Sequence, residues 1–99
     1  MNIVITARHF DITDALKSRI EERLSKLQKF SSDLMEASMI IDLMEKRSLV
    51  ELILHSRTSD FYATAKSYEL QMAVDNAIKK MKKQLKSHHD RLKEHKQKG

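Results

Sequence analysis

Histidines and carboxylates are the residue types in this chain best able to do chemistry, and their spacing limits what chemistry is open to them. Three of the five histidines, His88, His89 and His95, fall among the last twelve residues. On a helix, adjacent His88 and His89 point ~100° apart, and His88 and His95 stand two turns apart. No pair has the i, i+4 spacing that converges on one metal ion, so these side chains read as exposed, partly protonated contributors of positive charge. His9 and His55 are lone residues beside strand-like runs and read as structural. Asp42, Glu45 and Glu51 are placed to meet across two strands, but carboxylates on the outer face of a hairpin ordinarily face water. No Ser, His and Asp grouping stands out. The only glycine is Gly99, which leaves no loop to cradle a phosphate, and the chain has no cysteine. A thiol nucleophile, a zinc finger and a disulfide framework are thereby excluded. The expectation is a non-enzymatic protein with no cofactor, no metal and no small-molecule substrate.

The lysines carry a stronger signal. The whole chain has a formal net charge of +5. Residues 76 to 99 hold nine Lys or Arg against Asp90 and Glu94, a net of +7, whereas residues 1 to 75 hold ten against twelve acidic residues, a net of −2. On a helix, like charges at i and i+4, such as Lys79 with Lys83 and Lys82 with Lys86, cost stability. A one-signed face kept at that cost points to an anionic partner, where a merely solvated face would mix its charges. A membrane-surface helix wants a broad apolar face with aromatic anchors, and a coiled coil is opposed by His88 at a core position. No apolar run reaches the roughly 18 to 20 residues of a membrane span, and MNIVITARHF lacks a basic leader. A cytoplasmic protein with no membrane partner is expected.

The elements that must present this charge follow from periodicity. Residues 2 to 7 alternate around Ile3, Ile5 and Ala7 as a first strand. Asp11 or Thr13 then caps a helix whose apolar stripe runs Ile12, Leu16, Ile20, Leu24 and Leu27, down to about Phe30. Strand-like runs follow at 37 to 45, 49 to 55 and 61 to 66. Their inward sets are Ala37, Met39, Ile41 and Leu43, then Val50, Leu52 and Leu54, then Phe61, Ala63 and Ala65. From about Glu69 the period becomes helical again, with Leu70, Val74, Ile78, Met81, Leu85 and Leu92 on one side. The order βαβββα predicts an α+β fold: a four-stranded mixed sheet with two helices packed on one face, an arrangement that contains the αβββα order of double-stranded RNA binding domains. Lys79, Lys82 and Lys86 face away from the apolar seam of the last helix. Arg19, Arg23 and Lys26 line one border of the first helix, so side-by-side helices would share a basic surface. RRM-type stacking aromatics and a KH glycine loop are missing, which leaves phosphate backbone and RNA shape as the readable features. The alternative is a small protein-interaction module that docks or dimerises through the other sheet face, where Ile40, Met44, Leu49 and Ile53 lie.

The pattern ITDAL at 12 to 16, KL at 26 to 27 with an aromatic at Phe30, and AVDNAIKKMKKQLKSHHDRLKEH at 73 to 95 resembles the hibernation promoting factor family, which includes the ribosome-associated inhibitor, or protein Y. The likeness covers essentially the whole chain and is most distinctive at Asp75, Lys80, Lys83-Gln84-Leu85 and Ser87 to Leu92. It implies binding of the small ribosomal subunit through 16S rRNA, in the channel used by mRNA and tRNA, and silencing of translation in idle, stationary-phase cells. It also implies 70S or dimeric ribosomes as partners, with dimers promoted beside a separate ribosome modulation factor. Carried over by position, the rRNA-binding candidates are Arg23, Lys26, Lys80, Lys83, His88, Arg91 and Lys93. Residues 1 to 95 are expected to form a single ribosome-binding domain of the short type, with 96 to 99 a flexible basic tail. Leu70-Gln71-Met72 departs from the Asp-Met-Tyr common in the family, which removes any contact made by that tyrosine.

Overall fold

The computed structural model describes the backbone of residues 1–98 and the side chains of residues 1–88. Strand β1 (Asn2–Arg8) leads through helix α1 (Asp14–Ser25) and a 3-10 segment (Lys26–Phe30) to β2 (Leu34–Leu43), β3 (Ser48–Ser56), β4 (Asp60–Ser67) and helix α2 (Leu70–Lys98). The sheet order is β1-β2-β3-β4. β1 runs parallel to β2 by way of the α1 crossover, and the other two pairings are antiparallel. Both helices cover the same face, α1 lying against β1 and α2 against β3 and β4. The predicted α+β class and βαβββα order are those of the structure.

Turns are made here without glycine or proline, so side chains must do that work. Thr13 is the helix cap, its Oγ1 accepting from the Leu16 N–H at 3.1 Å, with Asp14 in the first turn where the helix dipole favours a negative charge. His9, between β1 and α1, takes a left-handed conformation (φ 68°), a region that His tolerates better than most residues. Its Nδ1 meets Asp42 Oδ1 on β2 at 2.6 Å. Between β3 and β4 the Ser56 hydroxyl accepts from the Ser59 N–H and donates to the Ser59 carbonyl, closing the turn with a serine.

The core forms between the helices and the inner sheet face. Ala37, Met39, Ile41, Val50, Leu52, Leu54, Phe61, Ala63 and Ala65 meet Ile20, Leu24 and Leu27 from the first helical segment and Ala73, Val74, Ala77, Ile78, Met81 and Leu85 from α2. Two expectations are corrected. β2 starts at Leu34, three residues before the expected start, because a bulge between Leu34 and Glu36 shifts the register and breaks the two-residue alternation that betrays a strand. Leu43, expected to face inward to the core, is 37% exposed. β1 ends opposite Asp42, so Leu43 has no strand beside it on that side.

Candidate nucleic-acid interface

The lysine face of α2 is a consequence of how its opposite side is held. Ala73, Val74, Ala77, Ile78, Met81 and Leu85 bury one stripe against β3 and β4. At ~100° per residue, Lys79, Lys83 and Lys86 fall within ~60° of one another on the far side. All three are exposed, and none forms an ion pair with another described residue. Lys82 borders the same stripe and is half-buried. Three ammonium groups on a rigid, one-sided scaffold suit the evenly spaced charges of a phosphate backbone.

The other candidates have partners within the fold. Lys80 Nζ donates to the Thr64 carbonyl at 2.7 Å, and one turn later Gln84 Nε2 donates to the Tyr62 carbonyl at 2.7 Å. β4 is an edge strand, and these two side chains occupy carbonyls that would otherwise invite another strand. Arg23 on α1 is ion-paired to Asp75 on α2, which ties the two helices together. Lys26, the C-cap of α1, stands 3.9 Å from Glu22, one turn back. The cleft between the helices is lined by Arg19, Arg23, Lys26, Glu22 and Asp75. Arg23 and Asp75 join the two helices across this cleft, but the surface there is of mixed charge and not a common basic one, because Asp75 and Glu22 answer the cations. Gln84 does not stand out in the sequence as a partner, since its bond depends on which strand comes alongside, whereas Glu22 and Lys26 have the i, i+4 spacing of a helical ion pair.

His88 departs from its expected exposure. It is half-buried, its ring edge-on to Phe61 with centroids 5.2 Å apart, and both residues line the cleft near Phe30 and Asp33. The side chains of Arg91 and Lys93, and those of His89 and His95, lie outside the described residues. No group of three or more metal-ligating side chains occurs among the described residues. Asp42 pairs with His9 and Asp60 with His55, while Glu51 stands opposite Ile40 and Thr64, so the sheet carboxylates do not converge. The hydrogen bond that Asp60 accepts from His55, aided by the charges of Asp60 and Glu36, raises the His55 pKa above its ordinary value against the opposing effect of burial. Asp33 is held below the usual carboxylate range, chiefly by the Ser31 hydroxyl, with further bonds from its own backbone and Thr58.

A family model described as sigma 54 modulation protein / S30EA ribosomal protein matches residues 3–93, which takes in all of the sheet but Asn2 and includes Lys79, Lys83 and Lys86. The chain belongs to this S30EA family. Among its relatives is the ribosome hibernation promoting factor of Klebsiella oxytoca, 26% identical over 95 residues that cover 96% of this chain and 100% of the relative. The protein of the same name from Escherichia coli K12 is 25% identical over the same shares. The ribosome-associated factor Y of Haemophilus influenzae is 28% identical over 85 residues, covering 86% of this chain and 79% of that one. The S30EA fold is also evident in solved structures. The Thermus thermophilus protein Y N-terminal domain superposes with a TM-score of 0.82 at 24% identity, covering 89% of this chain and 99% of that one. A ribosomal subunit interface protein from Coxiella burnetii gives 0.81 at 24% identity, covering 89% and 97%.

Proposed function

We propose that this S30EA-family protein is a ribosome hibernation factor, working in the cytoplasm, that binds the small ribosomal subunit through 16S rRNA in the channel used by mRNA and tRNA. The observation that carries the reading is the stripe of Lys79, Lys83 and Lys86 on α2, a fixed cationic row with no counterion among the described residues. Relatives bearing the names ribosome hibernation promoting factor and ribosome-associated factor Y support the ribosome as the source of the phosphates. Lys80, Arg23 and Lys26 contribute from the border of this surface, each giving up its internal contact or sharing it with rRNA. His88, Arg91 and Lys93 remain rRNA-binding candidates by family resemblance, His88 reaching rRNA only by leaving its packing on Phe61. Occupation of the channel excludes mRNA and tRNA and silences translation. In this reading the bound 70S particles assemble into dimers beside a separate modulation factor.

Sucrose-gradient sedimentation of stationary-phase lysate at low salt tests the proposal. The protein is expected in the small-subunit and 70S fractions, and its persistent absence from both would overturn the reading. A second reading, a protein-interaction module, is favoured by the uncovered sheet face, where Val4 and Tyr62 are exposed and Ile40 and Ile53 half-buried. Light scattering separates the two: mass that rises with concentration, together with no ribosome binding, would favour the module.

A further inference from the structure

At the N-terminal end of α2, remote in sequence from the lysine stripe, three cations and an aromatic ring meet around one cleft. Lys46 and Arg47 sit in the tight turn between β2 and β3, which is closed by the Met44 N–H donating to the Arg47 carbonyl at 2.9 Å. Lys66 and Ser67 end β4, and Tyr68 lies in the two-residue link to α2. The ladder aligns Leu43 with Ser48 and Ser48 with Ser67, which brings the turn alongside the end of β4. Lys46, Arg47, Lys66, Ser67 and Tyr68 together line a cleft of about 330 Å³. The three cations are exposed and form no ion pair with any other described residue. Glu45 and Glu69, their neighbours in sequence, do not line the cleft.

Tyr68 is 89% exposed and takes no part in the core. The ring therefore stands in water among cations that have no ion-pair partner among the described residues. An acidic peptide would be satisfied by the cations and would leave the ring idle, and a lipid surface asks for a broader apolar anchor than one phenol. A nucleotide uses both, the phosphate on the cations and the base on the ring. We propose that this cleft is a second nucleic-acid contact that takes a single-stranded RNA segment, with phosphates on Lys46, Arg47 and Lys66 and a base stacked on Tyr68. The inference rests on the reading that the partner of the lysine stripe is RNA. From Tyr68 to Lys86 is ~27 Å along the helix, so the two contacts engage different nucleotides.

The chain has two tyrosines and no tryptophan, so Tyr62→Phe leaves Tyr68 as the sole tyrosine fluorophore. Titration of that variant with a short single-stranded RNA of mixed sequence is expected to quench its emission. In the wild-type background Tyr68→Ala should weaken RNA binding about tenfold, while Tyr68→Phe, which keeps the ring, should not. Replacing Lys46, Arg47 and Lys66 with Ala should flatten the salt dependence by a slope of about 2. Binding of small subunits is measured in parallel. Absent quenching together with unchanged affinity of Tyr68→Ala, while the Lys79, Lys83 and Lys86 variant is defective on subunits, overturns the cleft and leaves the lysine stripe standing. Quenching by RNA with no subunit binding by wild type supports the cleft and overturns the ribosomal reading. Saturable binding of an acidic peptide or an anionic vesicle, with no quenching by RNA, assigns the cations to another partner and overturns the inference.

Discussion

His55 illustrates how much a single residue owes to register. Strand pairing sets it between Glu36 on β2 and Asp60 on β4, and its pKa rises because its charged form is favoured there. A group with a raised folded pKa stabilises the fold fully below the unfolded value of ~6.5, and that contribution is lost as pH rises through the higher folded value. The stability difference between wild type and His55→Ala should therefore be larger near about pH 5.5 than near about pH 8.5, read from urea unfolding midpoints at each pH. A difference that grows toward alkaline pH would contradict the pairing. In the sequence His55 is a lone histidine beside a strand, and its partner Asp60 lies across a turn whose length the sequence leaves open. Lys80 and Gln84 are harder still. Their bonds to β4 carbonyls arise only after the helix has packed, so no local pattern announces them. Tyr68 and Lys46 are twenty-two positions apart and meet only through strand order.

At the level of elements, periodicity carried most of the information. β1, β3, β4 and both helices follow the two-residue or helical spacing of their apolar residues, because each has one face on a shared core. The failures occur where backbone irregularity interrupts that spacing. The bulge at the start of β2 hides Leu34, and the 3-10 turn of Lys26–Phe30 carries Leu27 into the core at the end of a helix that reads as continuous. The alanines Ala73 and Ala77 are as buried as the larger seam residues, yet they are too small to mark a stripe in a sequence scan. α2 supplies the sharpest contrast. Leu85 is buried and Lys86 beside it is exposed, so Leu85→Ala should cost about 2 to 5 kcal/mol and Lys86→Ala no more than about 0.5 kcal/mol. Equal effects in chemical denaturation would mean that the helix is not seated as described.

The whole molecule, 52 × 23 × 17 Å in extent, divides its charge by surface. α2 carries lysines that have no ion-pair partner among the described residues, while the outer sheet face bears Glu36, Asp42, Glu51 and Asp60 among Arg8, Lys66 and half-buried aliphatic residues. That division was visible in the sequence as a net of +7 in residues 76 to 99, but which basic side chains the fold engages was not, because Lys80 and Arg23 find their partners only once the elements have packed. The central claim is that the stripe of Lys79, Lys83 and Lys86 neutralises phosphates of the small subunit. Its most direct test is the salt dependence of binding to purified small subunits, for wild type and for the variant with all three lysines changed to alanine. Loss of three phosphate contacts should weaken binding at low salt and flatten the slope of log K against log salt by about 2 to 3. An unchanged slope with unchanged affinity would contradict the claim and leave the stripe a solvated face.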